Sequence, residues 1–498
     1  MANANLIVAE NLRPGTDDWQ LMHPATSREI EGYASATSVN RGDAIDFYVN
    51  TASPTFVLEV FRMGWYQGLG ARRIVAPIEV AGTAQIMPTV DPDSGLVDCA
   101  WVKSFTLTTA NPSEPNDWKS GVYLARLTAS NSGAQSYIIF VVRDDQRQAD
   151  LLFQLSVTTY QAYNYWGGKS LYRWGSTQRK RAAKVSFNRP YSANAQNPAA
   201  AYGMGAGEFL TNLQPHPDVY KVSNASWDYN MVRWLEREGY DVAYCTSLDT
   251  HASPSMLIQH KAWLSTGHDE YWSWAMRDHV EAARDAGVHL GFFSANCAYW
   301  QIRLEASAAS GTADRIMVCY KKAARDPIAA SGDSSHATDK WRSEAVNRPE
   351  EQLVGVMYAG DPVDADIVIS APGHWVFADT GLQAGAKLPG LLGYEVDCAH
   401  SLAPVAVQIL ATSPWVALND ADKHGIAHMS IYDAASGAVV FATGSIQWAW
   451  GLDDYNVPTL RQSRLSLAAQ HITRNILQRF LSTANNDNPP RLDAATPS

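Results

Sequence analysis

The chain has 498 residues, 46% hydrophobic and 18% charged, with 50 acidic against 39 basic side chains and a formal net charge of −11. That length exceeds what one compact core usually holds, so two or three domains are expected, and the acidic balance disfavours nucleic acid and anionic membrane as partners. The five cysteines (Cys99, Cys245, Cys297, Cys319 and Cys398) are scattered and odd in number, without a C-x-x-C pair, which argues against a zinc ribbon or a redox pair and fits a reducing, cytoplasmic setting.

The first residues show neither a basic region nor a long apolar run, so no secretory signal is expected. Residues 1–145 read as all-β: 30–36, 44–50, 56–62, 121–129 and 136–143 alternate or cluster β-branched and aromatic residues between Gly, Pro, Asn and Asp. Short strands at this spacing predict an immunoglobulin-like β-sandwich. The glycine-rich aromatic segment 62–73 reads equally as a presented loop or as a loop with Trp65 and Tyr66 packed back. The longest apolar run near a candidate span, 137–142, is far too short for a membrane helix.

After the polar stretch 144–148 the texture changes. An apolar strand at 150–157, a helix at 229–239 and a strand at 241–245 alternate in a way that predicts a largely parallel, doubly wound, glutamine amidotransferase-like α/β domain over 149–482. Its centre is 261–305: a strand ending near Gly267, then His268, Asp269 and Glu270, an amphipathic helix, a strand at 288–293, and a sharp turn through Asn296 and Cys297. Ligands bind outside the carboxyl ends of such strands, which places both polar clusters at the ligand edge. Asp269 and Glu270 could alternatively only cap the helix that follows. Beyond about residue 310 the chain is loop-rich and then β-rich, with strands expected at 365–370, 374–377, 405–411, 429–433 and 439–443. A final helix is expected over 461–481 and a flexible tail over 483–498.

Several motifs fail on their spacing. Gly168-Lys169-Ser170 would end a phosphate-binding loop, but Tyr163 stands where that loop needs its first glycine. No G-x-S-x-G and no H-E-x-x-H occurs. Cys297 occupies a strand-to-turn position suited to a nucleophile, without the flanking glycines that let such a turn tighten. What remains is a hard, oxygen-rich donor set. Glu270 and His268 sit at one strand end, Tyr160, Tyr163 and Tyr165 crowd another beside Asn164, and Tyr191 ends a third cluster. Phenolate, carboxylate and carboxamide together favour a hard ion, and phenolate points to ferric iron.

Seven stretches in order resemble the large subunit of the N,N-dimethylformamidase family: 159–172 (TYQAYNYWGGKSLY), 187–191 (FNRPY), 235–242 (LEREGYDV), 267–272 (GHDEYW), 294–300 (SANCAYW), 390–397 (GLLGYEVD) and 444–450 (GSIQWAW). The resemblance implies a mononuclear iron held by two tyrosines and a glutamate. By motif, Glu270 would be the carboxylate ligand and Tyr163 the first phenolate, with Tyr160 as fallback. Tyr191 would be the second, with Tyr202 in competition. His268, Asn296 and Glu395 would assist as proton shuttle, substrate-orienting amide and general base or nucleophile, with Lys321 close by. The expected activity is hydrolysis of small N-substituted amides to an acid and an amine. A larger or cyclic amide as substrate is the near alternative, and a non-enzymatic carbohydrate-binding protein the distant one. A homo-oligomer is expected. The family's separate small subunit is not expected as firmly, because the chain is shorter than the family's large subunit.

Overall fold

A computed structural model describes residues 5–482 except 112, 115–116, 195, 216–222, 334–335 and 405; the tail expected over 483–498 lies outside the described residues. The N-terminal strands build two sheets. Five strands run in the order Ser38–Asn40, Gln135–Arg143, Gly121–Ala129, Thr55–Met63 and Ala71–Ala81, and three in the order Ile30–Ala34, Ala44–Thr51 and Phe105–Thr108. In Ala44–Thr51 the alternation has a physical meaning: Ile45, Phe47 and Val49 are buried and pack with Leu58, Tyr123 and Phe140. Segment 62–73 is not a presented loop. It turns back within a hairpin, and Tyr66 is fully buried.

The central sheet has seven strands in the order Val242–Thr246, Leu151–Leu155, Ala262–His268, His289–Ala295, Val439–Ala442, Asp420–Asp433 and Gln408–Ala417. The first five are parallel and the last two pair antiparallel. From Leu151–Leu155 the chain first adds a strand on one side, then crosses to add Ala262–His268 on the other. The order therefore reverses between these two strands, which is where open α/β sheets leave a crevice for ligands. Helix Asp228–Arg237 buries Tyr229, Met231, Val232, Trp234 and Leu235, and Phe480 of helix Leu467–Leu481 stacks on His289 at 5.1 Å. Among the described residues, no helix is long and apolar enough to cross a membrane.

The structure departs from the sequence reading in three places that matter. The strand through Thr266 runs on to His268, and a short strand, Tyr271–Ser273, intervenes before the helix, which begins at Trp274. Ser273 caps that helix, accepting from the Met276 backbone N–H at 3.1 Å. Asp269 and Glu270 are therefore released from any capping role. Segment 374–377 is a short 3-10 turn rather than a strand. The long strand Lys387–Cys398, paired with Met357–Val368, went unread because Pro389, Gly390 and Gly393 break its pattern.

Candidate active site

Three backbone segments bring the chemistry together. Strand Leu151–Leu155 runs into helix Val157–Tyr163, whose last residue is Tyr163. Strand Ala262–His268 delivers His268, and Glu270 follows two residues later, its backbone N–H donating to Thr159 Oγ1 at 3.0 Å. Gly267 makes this exit possible: its φ is +61°, and a Cβ there would meet the Trp227 Cβ at 2.9 Å. Strand His289–Ala295 ends at Asn296, which adopts a left-handed φ of +51° and donates its backbone N–H to Asp397 Oδ1 at 2.8 Å. Asn is among the few non-glycine residues that accept this conformation. Ala298 has the same φ with no such excuse, and such strain gathers at functional sites.

At the floor of a cavity of about 260 Å³ three oxygen groups converge. Tyr163 Oη donates to Glu270 Oε2 at 2.9 Å, Tyr172 Oη lies 2.7 Å from the same oxygen, and the two hydroxyls are 2.8 Å apart. The rings of Tyr163 and Tyr172 stack at 4.3 Å, and Tyr271 Oη donates to Tyr172 Oη from behind at 2.7 Å. His268 Nε2 stands 3.5 Å from Glu270 Oε2 and 3.4 Å from Glu395 Oε2. Asn296 Nδ2 donates to Glu395 Oε2 at 2.5 Å, so this amide holds Glu395. The Lys321 ammonium sits 3.6 Å above the Tyr172 ring and 4.7 Å from that of Trp300.

The electrostatics follow from burial and an excess of acid. Burial and then the Glu270 carboxylate push the Tyr163 and Tyr172 phenols well above the usual value, so both keep their protons. Burial alone would lower His268, but Glu395 and Glu270 outweigh it and push it up to about 9. Burial raises Glu395 and lowers Lys321 to about 8.

Five of the six residues that the sequence nominated meet here: Tyr163, Glu270, His268, Asn296 and Glu395. Tyr191 does not. Its ring packs edge-on against Tyr160 at 6.4 Å, and it lines a different cavity, beside Pro190 and Met204. The turn after Arg189 aims it there, since the buried Arg189 guanidinium is fixed by the carbonyls of Trp166, Lys169 and Asn164. The tyrosine beside Tyr163 is Tyr172, the last residue of the family-like stretch 159–172, which the crowding of Tyr160, Tyr163 and Tyr165 hides from a reading by spacing. Tyr160 faces the other way, donating to Asp228, and Tyr202 donates to Asn456. Cys297 is buried with Sγ 2.9 Å from Ser294 Oγ, and burial raises its thiol well above the usual value, so it supplies no thiolate.

A sequence model of the family described as "N,N-dimethylformamidase beta subunit-like, C-terminal" matches residues 57–461, most of the chain. The chain belongs to that family. A curated relative, the N,N-dimethylformamidase beta subunit of Alcaligenes sp, is 21% identical over 447 residues, covering 78% of this chain. The chain spans about half the length of that relative, 55%. Within this N,N-dimethylformamidase-like chain, no group of three or more His, Cys, Asp or Glu side chains among the described residues could hold a metal ion.

Proposed function

We propose that the chain hydrolyses the C–N bond of N-substituted amides of the dimethylformamide kind, giving a carboxylic acid and an amine, with one iron held by Tyr163, Tyr172 and Glu270. The observation that carries this reading is the convergence of two phenol oxygens and a buried carboxylate within 2.7–2.9 Å of one another, beside a second carboxylate and an imidazole. The donor set fits a hard cation: all oxygen, anionic when ionised, and with no arginine on Glu270. Phenols held well above their usual value by burial and then by Glu270 ionise only where a cation offsets both. When bound, iron there supplies Lewis-acid polarisation of a carbonyl oxygen and acidification of water.

The remaining steps belong to the side chains. Glu395, made more basic by burial and fixed by Asn296, takes the proton of the attacking water. Protonated His268, 3.4 Å from Glu395, gives its proton to the amide nitrogen as the C–N bond breaks, so the amine leaves neutral. It then recovers a proton from Glu395, which closes the cycle. The sequence reading cast Asn296 as the group that orients the carbonyl. With Nδ2 on Glu395, it is better placed to keep the base in position. The relative's designation as a beta subunit supports an assembly of more than one chain, which light scattering on the purified protein tests.

The deciding experiment is a visible absorption spectrum beside metal analysis and a dimethylformamide assay. The expected result is one iron per chain, a tyrosinate-to-iron charge-transfer band, and release of formate and dimethylamine. Iron without the band would remove the tyrosines from the site, and hydrolysis by metal-free protein would overturn the iron altogether.

A further inference from the structure

The cavity above Glu270 is larger and more selective than a dimethyl amide needs. Its volume of about 260 Å³ equals roughly nine waters at about 30 Å³ each, whereas dimethylformamide has only five non-hydrogen atoms. Seven of its thirteen lining residues are aromatic. They form two clusters. In one, Trp174 continues the Tyr163–Tyr172 stack, 5.9 Å from Tyr172 at an interplanar angle of 31°. In the other, Tyr299 lies edge-on to both Trp300 and Tyr358, at 4.9 and 5.2 Å. Trp174, Tyr299, Trp300 and Tyr358 are only half-buried, so ring surface is left to cover.

Most of the polar groups at the buried end of the cavity are engaged. Tyr163 and Tyr172 bond to Glu270, Tyr358 donates to Asp361, Tyr394 donates to Gln214 Oε1 at 2.7 Å, and Asn296 Nδ2 is on Glu395. Among the described residues that line the cavity, one buried side-chain polar atom has no partner: Asn296 Oδ1. It is an acceptor, and it belongs to the amide whose Nδ2 lies 3.4 Å from His268 Nε2. A buried acceptor left empty is costly and calls for a donor.

We infer that the preferred substrate is a secondary N-aryl amide, an anilide, whose N–H donates to Asn296 Oδ1 and whose ring lies against the two aromatic clusters. The inference rests on reading the site as an amide hydrolase. The donated N–H places the scissile nitrogen beside His268, which protonates it as the C–N bond breaks. Water supplies the hydroxyl to the acyl carbon, and an arylamine leaves. A tertiary dialkyl amide offers neither the donor nor the ring.

Three amides separate these features: formanilide has ring and N–H, N-methylformanilide only the ring, dimethylformamide neither. With the iron-loaded chain, kcat/KM should be highest for formanilide and fall at least about a hundredfold for N-methylformanilide, because a site built to bond an N–H rejects the analogue lacking it. Trp174→Ala and Trp300→Ala should each shrink the formanilide-to-dimethylformamide ratio by about tenfold or more. Binding, followed by calorimetry, gives a readout independent of turnover. Dimethylformamide turned over as well as or better than formanilide overturns the anilide and leaves the amide hydrolase standing. Tighter binding of formanilide than of its N-methyl analogue without hydrolysis of any amide leaves the recognition and removes the hydrolase. Equal binding of the two anilides, or none, overturns the inference.

Discussion

Two clusters of charge are almost completely hidden from solvent, and they are built on opposite principles. In the first, Arg62 and Glu236, both with fully buried side chains, form a bidentate pair at 2.7 and 3.1 Å, and Glu236 also accepts from Tyr244 and Asn11. Beside them Arg72 bonds to Glu10 and Asp117. Every acid there faces an arginine, and the network ties the N-terminal helix Leu6–Asn11, the first β-rich region and helix Asp228–Arg237 together. In the second cluster Glu270 and Glu395 meet phenols, one amide and one imidazole, with no arginine on either. A buried acid with its cation is a structural joint. Glu270 and Glu395 have only the titratable cations His268 and Lys321 nearby, which marks a working site rather than a joint.

The largest effects should come from removing the central acid of each cluster. Glu236→Gln strands Arg62 in the interior and should cost about 3–5 kcal/mol of stability, while the molecules that still fold keep their iron and turnover. Glu270→Gln should do the reverse. Iron and activity fall together, by about a thousandfold or more for the loss of several kcal/mol of Lewis-acid assistance, and the urea midpoint barely moves. Metal analysis, turnover and denaturation on the same two preparations check this. A Glu270→Gln protein that keeps its iron would end the distinction between the clusters.

A smaller contrast separates two tyrosines. Tyr172→Phe removes a hydroxyl 2.7 Å from Glu270 and should weaken and shift the charge-transfer band, leaving the part due to Tyr163, and weaken iron binding by about 10–100-fold. Tyr191→Phe should leave both intact, because Tyr191 packs on Tyr160 outside the site. Spectra of the two variants decide between them, and a weakened band in Tyr191→Phe with an unchanged one in Tyr172→Phe would restore the assignment made from sequence.

That pair also marks where the sequence stops being legible. The period-two strands near Ile45 and Phe47, the parallel strands, and the placement of His268, Glu270 and Asn296 at their carboxyl ends follow from local pattern and one topological rule. Tyr172 does not. It reaches Tyr163 from nine residues downstream through an irregular turn containing Gly167 and Gly168, both at positive φ, and no periodicity describes such a turn. Glu395 was found through resemblance although its strand was missed, because Pro389, Gly390 and Gly393 hide a strand from pattern but not from motif. The Arg62–Glu236 joint spans 174 residues of sequence and had no local signal at all.

A last contrast extends the comparison to pH. Behind the site, Asp228 accepts from Tyr160, and Glu208 accepts from the Leu213 backbone N–H at 2.7 Å; neither acid has an arginine. Burial pushes Asp228 up to about 8 and Glu208 to about 7. Both folded-state values lie above the ordinary carboxylate range, so between pH 4 and pH 8 the unfolded chain releases protons that the folded chain keeps. The stability they contribute is full below the ordinary values and is lost as pH rises through that window, by up to about 1.4 kcal/mol per pH unit for each uncompensated proton. Asp228→Asn keeps an acceptor for Tyr160 and removes one of the two titrations. Its melting temperature should therefore fall less steeply with pH than that of the wild type. Parallel curves for Asp228→Asn and wild type would mean that Asp228 already has a compensating charge.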